Sequence, residues 1–316
     1  MKIGIIDIGS NTCKLLIAER ESVSSAIDFV ILEQSSLPCR LLSLQADGQN
    51  FIEEKQSRLL LQCICEFMKI CKKHAVIKVQ AVATEAFRKS SNCQQISSLI
   101  EKEFGFEIKI LTGEEEARRI AKGLDTDPNI KSFQSYSALD IGGGSVEFIH
   151  VKNQKLIEVL SIPIGAVRMA RMDPSFSKEI IPAENQKKLR HYVREIISDQ
   201  LCHFLEEENQ LVGTGGTIVF CRNILQRFNN QTDHACIHRR ELEFLTQTVC
   251  GLKISDRVDR FPQLPADRAD IFPYGLLTVL EIMSLFDTQT LTHSFHNLRY
   301  GLAREMFDSL ESYTAS

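Results

Sequence analysis

Tryptophan is absent from this 316-residue chain, and its ten cysteines include no C-x-x-C pair. They are scattered (Cys13, Cys39, Cys63, Cys65, Cys71, Cys93, Cys202, Cys221, Cys236 and Cys250), and several sit in apolar runs, as reduced thiols do. No excess of basic residues exists either. Lys and Arg total 37 against 41 Asp and Glu, a net charge of −4. That removes any whole-protein electrostatic case for nucleic acid, and a polyanionic substrate would need a local basic patch. No apolar run approaches the ~20 residues of a membrane span. Met1 leads straight into a strand-like run without a basic n-region, apolar h-region and cleavage site, so a cytoplasmic location is expected. The length predicts two domains, and a hydrophobic fraction of 43% is enough for substantial cores.

The most informative stretch is Tyr136–Val151, YSALDIGGGSVEFIHV. An apolar run ends in Asp140; Gly142, Gly143, Gly144 and Ser145 follow; a second β-like run carries Glu147. The pattern reads as strand, tight turn, strand, with glycines that let backbone approach a ligand. A turn presenting several N–H groups is an anion cradle. An acid at the strand end beside it is placed to hold Mg²⁺ on a phosphate. The first residues, MKIGIIDIGSNTCKLLIAE, repeat the design. Asp7 aligns with Asp140, Gly9 with Gly142, Ser10 and Asn11 with Gly143 and Gly144, Thr12 with Ser145, and Lys14 with Glu147. Two such units predict two similar domains facing a shared cleft.

The first domain reads as strands over 2–7, 13–20 and 28–40, then a helix over 54–74 with Leu59, Cys63, Phe67 and Ile70 on one face. A strand at 76–82 ends in Thr84–Arg88. A helix over 93–104 and a strand over 106–111 lead to Thr112, an N-cap with Glu115 completing a capping box, and a helix to Leu124. The order β-β-β-α-β-α-β-α predicts an α/β domain of the ribonuclease-H type. Residues 125–135 read as a linker. The second domain repeats the scheme with strands at 136–140, 145–151 and 156–163 and a helix over 183–207. Gly213, Thr214, Gly215, Gly216 and Thr217 then open another helix, a third anion site. Helices fill most of 239–286, a strand lies near 290–296, and a final helix returns to the first domain. The expected boundaries are 1–124 with 297–316, and 125–296.

Three consecutive acids, Glu114–Glu116, stand in a helix's first turn, where they complement the macrodipole or supply a general base. Arg88 ends a strand, where α/β sheets bind ligands. Arg268 reads as a helix-surface salt-bridge partner. Asp233-His234-Ala235-Cys236-Ile237-His238 matches no complete zinc pattern and reads as a polar loop.

Together the segments IDIGSNTCKLLIAE, AVATEAFRKSSN, LTGEEEARRIAKGL, LDIGGGSVEFI, SIPIGAVRM, LVGTGGT, LPADRADIFPYGLL and LRYGLAREM resemble the exopolyphosphatase / guanosine pentaphosphate phosphohydrolase (Ppx/GppA) family, in family order from Ile6 to Met306. The resemblance implies two ribonuclease-H-like domains of the actin-like ATPase superfamily. It also implies hydrolysis of terminal phosphate from inorganic polyphosphate or guanosine pentaphosphate with Mg²⁺, Mn²⁺ being the alternative ion. The catalytic glutamate falls on Glu116. The metal-associated acids fall on Asp140 and Glu147, with Asp7 as the aligned acid. The phosphate-binding positions fall on Gly9, Ser10, Asn11, Thr12, Arg88, Gly142, Gly143, Gly144, Ser145, Gly213, Gly215, Gly216 and Thr217. A homodimer is expected from the family alone. Val146 stands where Thr is common, and Glu85 where a small or amide residue is. The chain ends where longer members continue, which predicts a preference for short polyphosphate or a nucleotide.

The expected reaction is attack of water on a terminal phosphoanhydride, with Glu116 as base. A kinase on the same fold would need an acceptor, and no adenine or sugar pocket is marked. A non-catalytic polyphosphate or alarmone sensor would bind without turnover.

Overall fold

The computed structural model describes residues 1–20, 29–41, 50–173, 180–201, 204, 210–229 and 235–314. The chain divides into two compact units, Met1–Lys131 with His296–Ser316, and Ser132–Phe295.

The first unit opens with β1 (Lys2–Ile8), β2 (Thr12–Glu19) and β3 (Val30–Pro38), followed by α1 (Glu54–Lys73), β4 (Lys78–Ala83), α2 (Glu85–Arg88), α3 (Cys93–Phe104), β5 (Ile108–Ile110) and α4 (Gly113–Leu124). Its sheet has the order β3-β2-β1-β4-β5. β2 is antiparallel to β1, and β4 runs parallel to it. β1 sits centrally, so its run of isoleucines is buried on both faces: Ile3, Ile5, Ile6 and Ile8 have no exposed surface.

The second unit contains β6 (Tyr136–Ile141), β7 (Val146–Lys152), β8 (Lys155–Ile162), α5 (Ala166–Met172), α6 (Ala183–Ile197), β9 (Gln210–Thr214), α7 (Gly216–Asn229), β10 (Cys236–His238), α8 (Arg239–Cys250), α9 (Ile254–Arg260), α10 (Phe272–Leu285) and β11 (Thr290–His293). Read from β8, its sheet is β8-β7-β6-β9-β11-β10. This is the first unit's order with one extra edge strand, and both sheets have the ribonuclease-H-like topology. The last helix, α11 (Leu298–Thr314), belongs to the first unit, where it packs on α4 and β1.

Four expectations are corrected. α1 buries Leu60, Cys63, Ile64, Phe67 and Cys71, whereas Leu59 is 38% exposed. Cys63 and Phe67 lie on the buried face as expected, but Leu60, Ile64 and Cys71 complete it in place of Leu59 and Ile70, because docking on β2 selects among overlapping apolar faces. The helix expected over 183–207 ends at Ile197. Leu201 and Phe204 continue its buried stripe beyond the helix, and 202, 203 and 205–207 lie outside the described residues. Two short elements, α5 and β10, were not anticipated. Residues 125–131, read as linker, pack on the first unit. Ile130 is buried, and Thr126 Oγ1 reaches the Gly123 carbonyl and His296 Nδ1, both at 2.7 Å. Asp233 and His234 lie outside the described residues. No described helix is long and apolar enough to cross a membrane.

α4 and α11 approach so closely that backbone meets backbone. A Cβ at Gly301 would fall on the Arg119 carbonyl, and one at Gly123 on the Asn297 carbonyl. Arg119 and Lys122 then close the pair through Glu305, at 3.0 and 2.6 Å. Gly301→Ala is expected to destabilise the protein by about 3 kcal/mol through overpacking, read as a lowered denaturant midpoint, whereas Glu305→Ala should cost about 1 kcal/mol, because Lys122 is half-exposed and Arg119 keeps its contacts to Glu115.

Candidate functional site

In the first unit, β1 and β4 end side by side. The β1–β2 turn is closed by Gly9 N–H to Thr12 O at 3.1 Å. Its carbonyls are held from behind: Asn11 O accepts from Cys39 and Arg40 N–H, both at 3.0 Å, and Ser10 O accepts from Leu41 N–H at 2.9 Å. In a planar trans peptide the N–H opposes the C=O. Pinning these carbonyls therefore directs the Asn11 and Thr12 N–H groups away from the 39–41 segment. Asp7 faces Lys14 across the strand pair, and the ammonium lies 4.0 Å from the carboxylate.

Thr84–Arg88 follows β4. Arg88 Nη1 donates to the Leu111 carbonyl at the end of β5 and lies 3.8 Å from Glu116 Oε2. The three acids of α4 have separate environments. Glu115 completes the capping box: Thr112 Oγ1 accepts from its N–H at 3.1 Å, and its Oε2 accepts from Thr112 N–H at 3.0 Å. The Thr112 N–H and then Lys109 and Arg119 lower its pKa. Glu114 is exposed, while Glu116 is buried beside Arg88. The dipole-and-cap reading therefore holds for Glu115, and position sets Glu116 apart. Glu85 is buried, and Lys89 Nζ lies 3.4 Å from its Oε1.

The second unit repeats the turn. Gly142 N–H closes it on Ser145 O at 3.0 Å. The carbonyls are again pinned from behind, here by the N-terminus of α5: Ala166 N–H to Gly142 O at 3.0 Å, Val167 N–H to Gly143 O at 2.8 Å, and Gly165 N–H to Gly144 O at 3.2 Å. Three consecutive N–H groups, of Gly143, Gly144 and Ser145, are thereby directed to the opposite side, the geometry of an anion nest. Gly165 is needed for this approach, since a Cβ there would lie 2.6 Å from the Gly143 and Gly144 backbone.

Asp140 and Glu147 are direct cross-strand partners. Glu147 is 1% exposed, and its Oε1 accepts from Ser145 Oγ at 2.6 Å and Ser161 Oγ at 2.8 Å. Spending both hydroxyls on one oxygen fixes the plane of the carboxylate. The third turn lies against this pair. Gly215 has φ +97°, and a Cβ there would lie 2.6 Å from Asp140 Oδ1 and 2.5 Å from Ile141 O. Gly216 starts the 14-residue α7, and Thr217 is buried in its first turn. Gly213 has a packing reason to be glycine: it lies in β9, where a Cβ would strike Leu291.

Four residues were not foreseen in these roles. Ser161 and Gly165 reach the turn through sheet register and the short helix that follows. Arg168 Nε donates to Gly144 O at 3.3 Å. Arg268 places its guanidinium against Gly216, 3.3 Å from where a Cβ would stand, and over the Phe220 ring. The segment SIPIGAVRM contains the first three but has no local signal for their contacts.

Residues 16–310 match the Ppx/GppA phosphatase family. The chain belongs to that family. It is 29% identical over 296 residues to the bifunctional 3-dehydroquinate synthase/phosphatase of Fusobacterium nucleatum, covering 89% of this chain and 43% of that protein. It is 30% identical over 176 residues to exopolyphosphatase 1 of Mycobacterium tuberculosis, covering 54% of this chain and 48% of that protein. The chain thus matches less than half the length of each. Among solved structures, an exopolyphosphatase from Cytophaga hutchinsonii superimposes with TM-score 0.86 at 23% identity, covering 98% of both chains. The Aquifex aeolicus PPX-GPPA enzyme gives 0.78 at 24%, covering 96% of this chain and 99% of its own. These likenesses establish the fold.

Ser161→Ala should destabilise the protein by about 1–3 kcal/mol, the range for a hydrogen bond to a charged group left unmade, and Ser161→Thr should recover part of that loss, both read by denaturant unfolding.

Proposed function

We propose that this protein hydrolyses the terminal phosphoanhydride of inorganic polyphosphate, releasing orthophosphate, with Glu116 as the base that takes the proton from the attacking water. The observation that carries the reading is the Gly142–Ser145 turn. It aims three successive N–H groups one way and sets at its edge a cross-strand acid pair, Glu147 buried and Asp140 part-exposed. Donors fixed in advance stabilise charge developing on phosphoryl oxygens. In the second unit the N-terminus of α7 adds donors of the same kind, and in the first unit the Gly9–Thr12 turn and Arg88 offer them too.

The acid pair fits Mg²⁺, with Mn²⁺ as the alternative. Mg²⁺ is held by one or two carboxylates together with phosphate oxygens and water, rather than by an all-protein cage. Among the described residues no cluster of three or more His, Cys, Asp or Glu could hold a metal, and Asp140 with Glu147 supply the two hard oxygen donors. Asp7, the aligned acid, already faces the Lys14 ammonium. The ion, when bound, would neutralise charge on the transferring phosphoryl group. Ser145 and Ser161 hold Glu147 in place for it, and Arg88 positions Glu116.

Glu116→Gln keeps size and burial but removes the proton acceptor. Turnover of short-chain polyphosphate should fall 10²- to 10⁴-fold, the contribution of a positioned general base, with unchanged unfolding and retained Mg²⁺-dependent substrate binding. Near-normal release would overturn the assignment. Orthophosphate release from short polyphosphate, long polyphosphate and guanosine pentaphosphate at equal terminal-phosphate concentration should be fastest for a polyphosphate. Faster release from the nucleotide would make the protein an alarmone phosphatase instead.

A further inference from the structure

The second unit contains a cavity of about 370 Å³ that no part of the phosphate chemistry uses. Its apolar wall is made by Leu225 of α7, Phe244 and Leu245 of α8, and Phe261 just after α9. Leu225 stands nine residues along α7 from Gly216, about 13 Å at 1.5 Å per residue, so the cavity lies at the far end of that helix from the glycine turn. Its volume is at the small end of the range for small-molecule sites. Phe244 is 65% exposed, a large aromatic ring left open to solvent beside an apolar hollow.

Arg240, Arg260, Glu241 and Thr248 supply its polar lining. The environments of the two arginines differ from those of neighbouring arginines. Arg239 is paired with Glu243 at 3.1 Å. Arg257 is buried and donates to the Val249 and Ala269 carbonyls at 2.9 and 2.8 Å. Neither Arg240 nor Arg260 is held by a carboxylate among the described residues. Among the described residues the one acid in the lining is Glu241, whose carboxylate accepts from the His238 N–H at 3.3 Å at the start of α8. The described lining therefore carries a net charge of +1 over an apolar hollow.

We propose that this cavity binds an amphipathic organic monoanion, an aliphatic chain ending in a carboxylate. The chain would lie among Leu225, Phe244, Leu245 and Phe261. The carboxylate would take paired N–H donors from Arg240 and Arg260, whose planar forks match its two oxygens. An uncharged amphiphile would forgo those bonds, and a cationic one would meet two like charges. A small hydrophilic acid would leave the apolar wall in water.

The test is calorimetric titration of the full-length protein with decanoate, with acetate and decyltrimethylammonium as controls. The expected result is saturable one-to-one decanoate binding, with both controls at least 10-fold weaker. Arg240→Ala/Arg260→Ala should weaken decanoate binding at least 10-fold without changing the unfolding midpoint. Thr248→Phe, which grows a ring into the hollow from the α8 wall, should weaken it while leaving both arginines in place. Absence of saturable binding, equal binding of decyltrimethylammonium, or binding indifferent to both variants would each overturn the proposal. Phosphate release plays no part in the readout, so the result is independent of the proposed hydrolysis.

Discussion

Each turn depends on where its backbone carbonyls point, two in the first unit and three in the second. A glycine-rich turn has no intrinsic reason to aim its amides in one direction; each peptide can flip. In both units the flip is prevented from behind, by N–H groups of 39–41 in one and of 165–167 in the other. Each such bond nets only about 0.5–1.5 kcal/mol, but a flipped peptide would orphan donor and acceptor together, so the penalty for disorder exceeds the worth of any one bond. The direction of the amides in the proposed anion cradle is thus a property of the scaffold behind it. Its donors are fixed before a ligand arrives, which is what makes such donors effective against charge that develops during a reaction.

Close approach is the second constraint, and it explains particular glycines. Gly215 lets the start of α7 touch the carboxylate of Asp140, Gly165 lets α5 reach the turn, and Gly123 with Gly301 lets α11 return to the first unit. These contacts join segments distant in sequence at distances that a methyl group would forbid. The chain can therefore bring a strand end, a turn and a helix N-terminus onto one acid pair without long side chains to bridge them.

Local features were legible in the sequence and tertiary ones were not. The two strand–turn–strand copies could be aligned residue by residue because their chemistry lies within about a dozen positions; the matched closures of Gly9 on Thr12 and Gly142 on Ser145, and the matched pairs Asp7–Lys14 and Asp140–Glu147, bear the alignment out. The capping box of α4 was legible for the same reason. The face of α1 was not, because Leu59 and Leu60 both continue an apolar stripe and only docking chooses between them. α5 was missed because seven residues between a strand and a loop give too little periodicity to read. Ser161 and Arg268 gain their roles only through strand register and the packing around α7, for which no short-range pattern exists.

The aligned pairs also differ in one decisive respect. At the edge of the first turn an acid faces an ammonium, Asp7 and Lys14; at the edge of the second, an acid faces an acid, Asp140 and Glu147. Like charges directly across a ladder are unfavourable, and Glu147 is also almost fully buried, which penalises its charge further. Two serine hydroxyls on one oxygen offset part of that penalty without removing the negative charge. Two carboxylates beside N–H groups that share one direction give the second turn a set of hard oxygen donors, the arrangement on which the proposed Mg²⁺ site rests. In the first unit the aligned acid, Asp7, faces the Lys14 ammonium instead. That asymmetry is the physical reason the proposed cation site is placed on the second unit.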